Sequence, residues 1–221
     1  MAPHNLWLQC PSKGEIGQYL RCILLYGHHF EVLGVADRSE SRVVLEIPGG
    51  VRHELTLEAR EDGLVAGFSG EQPGVHTLLA EYDLGLHSQL KDGSYLRGKL
   101  SSDDVAQIVH FKHFAKALVT IGDQGHQPGS YGMPLEIIPL RLDGDEVELL
   151  IQANGRPLGG SQVFGYCKSR SVSRFARTNA DGICHLGVFP GEWMFIARLE
   201  SEGDKGIDAL MMGTTLTLIV E

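Results

Sequence analysis

The chain has 221 residues, is 43% hydrophobic and 21% charged, and carries a formal net charge of −9. This is a globular composition with room for one large or two small domains and no apolar run near the roughly 18 residues that span a membrane. The acidic balance argues against nucleic-acid binding, which depends on Lys and Arg neutralising phosphates, and mildly favours cationic partners.

Met1-Ala2-Pro3-His4 runs straight into an apolar strand, with no charged n-region or apolar h-region. It reads either as a native cytosolic start or as a start codon placed on a mature domain after signal removal. Short β-branched and apolar runs then alternate with Gly, Asp, Asn and Pro turns, and this spacing predicts an all-β fold. In the first half, strands are expected over 6–10, 18–25, 43–46, 53–58, 64–68 and 74–82. Residues 84–100, with Gly85, Gly93 and Gly98, are the least patterned and read as a long loop. Ser101-Ser102-Asp103-Asp104 offers side-chain oxygens to cap the start of a short helix. Residues 111–121 return to strand, and 123–133, rich in Gly, Gln and Pro, reads as a linker. Strands over 135–140, 147–153, 162–167, 173–177, 182–186, 193–199 and 214–220 complete the second half. The expected organisation is two tandem β-sandwich domains, 1–122 and 134–221, joined by 123–133, with at most a short helix between them.

There is no C-x-x-C, and four cysteines are too few to define a disulfide scaffold. Cys10 and Cys22 could face each other across neighbouring strands, as could Cys167 and Cys184; the alternative is buried free thiols.

The histidines carry the chemistry. His4 opens the first strand and His28-His29 follows the second, so two neighbouring strands could bring these imidazoles to one ion. Neutral imidazole suits cobalt, nickel, copper and zinc. Adjacent residues on a strand point to opposite faces, so both His28 and His29 could reach one ion only if the backbone turns there, which Gly27 would allow. His76 and His87 are secondary candidates. His110 and His113 would share a face on a helix but not on a strand, and the surrounding Phe and Val residues favour the strand. His53, His126 and His185 look incidental. Asn179-Ala180-Asp181-Gly182 lacks the run of oxygen ligands that a calcium loop requires and reads as a turn. Nucleophile-elbow, zinc-protease, phosphate-loop and dinucleotide fingerprints are missing, and no general acid or base is assigned.

The segments H-N-L-W-L (4–8), G-H-H-F (27–30), F-A-K-A-L-V (114–119) and L-E-I-I-P-L (135–140) stand in this order along the chain. They are followed by N-G-R-P-L (154–158), T-N-A-D-G (178–182), G-E-W (191–193) and T-L-T-L (215–218). Together they resemble a domain-of-unknown-function family of periplasmic components linked to cobalt- and nickel-type ABC uptake systems. The resemblance implies a periplasmic, Ig-like or prealbumin-like sandwich protein with a metal-linked role, and His4 and His28 as its natural ligands. Pro3, the doubled His28-His29 and the four cysteines depart from that pattern. The expectation is a non-enzymatic protein that captures Ni(II) or Co(II), with Cu(II) or Zn(II) as alternatives. His4 and His28 would hold the ion, joined by His29 or His76, and membrane components of a metal transporter would receive it. The rivals are an interaction or scaffold module and a copper protein using an N-terminal histidine chelate.

Overall fold

The computed structural model describes residues 4–123 and 129–221. Among these residues the regular elements are strands, apart from one 3₁₀ turn at Arg38–Glu40, and the all-β expectation holds. The chain opens with β1 (Asn5–Gln9), β2 (Lys13–Gly14), β3 (Tyr19–His28), β4 (Glu31–Gly34) and β5 (Ser41–Glu46). It continues with β6 (Arg52–Glu54), β7 (Glu58–Ala59), β8 (Leu64–Ser69), β9 (Gly74–Leu90), β10 (Tyr95–Arg97) and β11 (Val105–Ile121). The second half holds β12 (Leu135–Asp143), β13 (Glu146–Ala153), β14 (Arg156–Pro157) and β15 (Gln162–Cys167). It ends with β16 (Val172–Arg177), β17 (Ile183–Gly187), β18 (Gly191–Glu202) and β19 (Ala209–Val220).

Among the described residues these strands form three sheets. The largest has ten strands, ordered β16-β15-β18-β19-β11-β9-β5-β6, with β10 on β9 and β2 on β11. Its seam is the parallel pair β11–β19, which joins strands from the two halves of the chain. A five-stranded sheet, β1-β3-β8-β7 with β4 on β3, covers one face, and a four-stranded sheet, β12-β13-β14 with β17 on β13, covers the other. Strand alternation explains the two faces. On β11, Ala115, Ala117 and Val119 enter the first core with Leu6, Leu8 and Leu24, while Phe114 enters the second with Leu135, Leu149 and Trp193.

Two elements differ from the sequence expectation. Residues 84–100 are largely strand: β9 runs to Leu90 and pairs with β11, and β10 folds back on it. Gly85, at φ 74°, supplies a left-handed residue beside the register shift at Phe111 and Lys112, and this bulge disguised the strand pattern. Ser102 caps no helix. Its hydroxyl accepts from the Asp104 N–H and its carbonyl from the Val105 N–H, closing a turn that feeds β11. Residues 124–128 of the expected linker, His126 among them, lie outside the described residues.

Past that segment the chain is fastened by a buried ion pair. Lys116 Nζ donates to Glu136 Oε1 at 2.7 Å, and both side chains are only 1% exposed. Glu136 also accepts from the Tyr131 N–H and the Ser130 hydroxyl, and the ammonium lies 5.0 Å from the Tyr131 ring centre. Burial pushes the Lys116 ammonium down and Glu136 opposes that shift. A buried charge left without its partner is strongly destabilising, so these contacts fix β12 against β11.

Strand β1 is held on both edges and both faces. Its register with β3 runs from Asn5 opposite Gly27 to Gln9 opposite Ile23. Leu6 and Leu8 face the first core, while Trp7, fully buried, packs with Leu25, Met194 and Ile196. Its other edge is capped by side chains of β19: the Thr215 hydroxyl donates to the Leu6 carbonyl at 2.6 Å and the Thr217 hydroxyl to the Leu8 carbonyl at 2.7 Å. Replacing either threonine by Val keeps the shape and leaves a buried carbonyl without its donor. Each substitution is expected to lower stability by about 1–3 kcal/mol. Urea denaturation of Thr215→Val and Thr217→Val measures the loss.

Candidate functional site

The site lies where the start of β1 and the end of β3 cover the large sheet. The β1–β3 register carries His4, one residue before β1, toward His28, the last residue of β3. Their ring centres are 4.6 Å apart and both side chains are partly exposed. His4 Nδ1 is 3.3 Å from the Tyr26 hydroxyl, which leaves Nε2 as the ring nitrogen available to an ion. Burial, with a smaller contribution from Tyr82, pushes the Tyr26 hydroxyl well up, so it is protonated at neutral pH.

His29 takes another path. Strand β3 continues through Gly27, where a Cβ would lie 2.0 Å from the Glu31 carbonyl oxygen, so Gly27 permits close approach of β4 rather than a turn. The turn comes at His29 and Phe30, with φ of 48° and 67°, between the paired residues His28 and Glu31. Two-residue hairpins of this hand normally use Asn or Gly. Here packing overrides that preference: His29 stacks on Tyr166 with ring centres 4.6 Å apart, and Phe30 lies against Trp7 and Tyr166. The His28 and His29 ring centres are 6.4 Å apart. His76 is elsewhere. It is buried, stacks on Phe68 and has Nδ1 3.4 Å from the Gly74 carbonyl. It lies six steps along β9 from Tyr82, roughly 20 Å at strand spacing.

Beneath the imidazole pair lies a row of residues that sequence spacing does not reveal. Arg198, Gly213, His113 and Tyr82 stand opposite one another on β18, β19, β11 and β9. Gly213 is required by contact, because a Cβ there would lie 2.8 Å from His113 Nδ1. Arg198 donates to the Asn5 side chain at 2.7 Å, tying β18 to the start of β1. The Tyr26 ring sits 5.8 Å from His113 and 5.5 Å from Tyr82. Burial, helped by the charges of Arg198 and His4, pushes the His113 imidazole down to about 4. His113 is therefore neutral at physiological pH. The strand reading at His110 and His113 holds, and the two diverge: His110 Nε2 lies 2.6 Å from Asp83 Oδ1. Among the described residues, no three His, Cys, Asp or Glu side chains converge as a metal-binding group. The geometry supplies a two-imidazole site with a phenol behind one ring.

A family model described as a domain of unknown function, DUF4198, matches residues 1–201. The chain belongs to the DUF4198 family. No curated protein matches this DUF4198 chain. Among solved structures it is similar to a two-domain fibronectin type III segment of chicken tenascin, at 12% identity over 99% of both chains with a TM-score of 0.28. It is also similar to fibronectin(III)-like modules of Clostridium thermocellum CbhA, at 8% identity over 95% of this chain and 94% of that one, with a TM-score of 0.24. At these scores neither superposition carries an argument, and the DUF4198 fold stands on its own strand pairings. Among the described residues no helix is long and apolar enough to cross a membrane.

The depressed His113 has a consequence for stability. Unfolding exposes an imidazole that titrates near 6.5, whereas the folded one titrates near 4. Between these values the unfolded state binds the extra proton, so stability falls as pH falls. Its contribution is complete above about pH 6.5 and lost toward pH 4, on the order of 3 kcal/mol. Denaturant unfolding at pH 7.5 and 4.5 is expected to show a smaller acid loss in His113→Gln than in the unaltered protein.

Proposed function

We propose that this protein binds a divalent transition-metal ion through His4 and His28, outside the cytoplasm, and passes it to a membrane uptake system. The observation that carries the reading is the 4.6 Å pairing of two partly exposed imidazoles from separate strands, one of them held by Tyr26. The resemblance to cobalt- and nickel-uptake components favours Ni(II) or Co(II) among the ions that imidazole suits. The ion is cargo. Two imidazoles leave coordination positions open, so the protein holds the ion moderately and a partner with more ligands takes it by exchange. Tyr26 acts as a positioning residue: when the His4 Nδ1–H donates to its hydroxyl oxygen, Nε2 is the nitrogen presented to the ion. Protons compete with metal for imidazole, so binding weakens on acidification.

A second reading, an interaction module, is supported by one surface feature. Phe164 and Phe175 pair across β15 and β16 with ring centres 5.2 Å apart, and both side chains are exposed. Contiguous exposed apolar patches mark interaction surfaces.

Calorimetric titration with Ni(II), Co(II), Cu(II) and Zn(II) separates the two. One-to-one binding of Ni(II) or Co(II) that disappears in His4→Ala/His28→Ala supports metal capture. No binding, or equal binding by both proteins, moves the function to the interaction surface. In the same titration Tyr26→Phe is expected to keep the stoichiometry and weaken affinity by about 10- to 100-fold, the usual effect of losing a partner behind a metal-ligating histidine.

A further inference from the structure

Strands β1 and β3 bring together a second pair of side chains. One step beyond the Gln9–Ile23 pair, their register sets Cys10 opposite Cys22. The edge contacts show which kind of pair this is. Thr215 and Thr217 take the Leu6 and Leu8 carbonyls on the side of β1 away from β3. Even-numbered residues of β1 thus turn their main-chain groups away from β3, and Leu6–Tyr26, Leu8–Leu24 and Cys10–Cys22 are non-hydrogen-bonded pairs. In such pairs the side chains stand closest, and a disulfide needs Cβ atoms about 3.5–4.5 Å apart. Both cysteines pack in the first core, and Cys22 is a hydrogen-bond partner of the Cys10 thiol. Cys167 and Cys184 are placed differently. They lie on β15 and β17, in sheets that face each other, and Cys167 Sγ contacts the Ser169 hydroxyl at 3.4 Å.

We propose that Cys10 and Cys22 form a disulfide that staples β1 to β3. Two S–H bonds break and one S–S bond forms. The two electrons and two protons pass to an external disulfide of the glutathione class, which leaves as two thiols. Cys10, partly exposed, takes the first external sulfur and buried Cys22 displaces it. Burial, and then Cys22 itself, push the Cys10 thiol well up, so the folded pair exchanges slowly. The staple would lock the strand that carries His4 to the strand that carries His28, and it stands whether or not metal binds there.

The test refolds the protein with oxidised and reduced glutathione, then denatures, alkylates and weighs it. Cys10→Ser and Cys10→Ser/Cys22→Ser run alongside, the single variant sparing the buried site if the double variant folds poorly. The expected result is two of the four thiols protected in the unaltered protein, all four alkylated after reduction, and a linked peptide joining Cys10 to Cys22. The variants should show no internal link, and their denaturation midpoint should be the same in oxidising and reducing buffer. Four free thiols in excess oxidised glutathione, glutathione adducts without an internal link, or a link between Cys167 and Cys184 would each overturn the proposal.

Discussion

An edge strand inside a protein must satisfy main-chain groups that no neighbouring strand reaches. Strand β1 faces that demand, because only one of its edges pairs with β3. Two threonine hydroxyls on β19 meet it at Leu6 and Leu8, two residues apart on both strands. This contact fixes β1 in place and in register, for a slip of one residue would turn Trp7 into the first core and Leu6 out of it. The position of His4 follows, and with it the Arg198–Asn5 contact and the pairing with His28. The beginning and end of the chain thus build the site together.

The row beneath the imidazoles shapes what that site can hold. Arg198 is a fixed positive charge close by, and keeping His113 neutral stops a second from forming there above about pH 4. In the proposed function, a site of two imidazoles suits a cargo that must be surrendered better than a structural ion held by four ligands would. Gly213 leaves room for the row, since a Cβ there would lie 2.8 Å from His113 Nδ1 and force that ring to shift.

Much of the fold was legible because alternating burial is a local property. The strands of the second half match their sequence ranges closely, and the all-β class follows from turn spacing alone. The nearness of His4 to His28 was legible too, since it needs only two sequential strands lying side by side. The rest was not local. His113, Gly213 and Arg198 meet through a parallel seam between strands about a hundred residues apart, and no spacing rule connects them. The turn at His29 and Phe30 lacks the Asn and Gly that mark such hairpins, so the sequence offered only Gly27 as a residue that would allow one. His76 read as a candidate ligand because the sequence could not show that its face of β9 looks into the core against Phe68.

The central claim is that His4 and His28 act as a pair, apart from the buried histidines. Imidazole-resolved NMR during titration with Co(II) tests it most directly. The account predicts that the first equivalent shifts the ring resonances of His4 and His28 strongly, and those of buried His76 far less. A first equivalent that perturbs exposed histidines indiscriminately, or leaves the His4 and His28 rings unchanged, would contradict it.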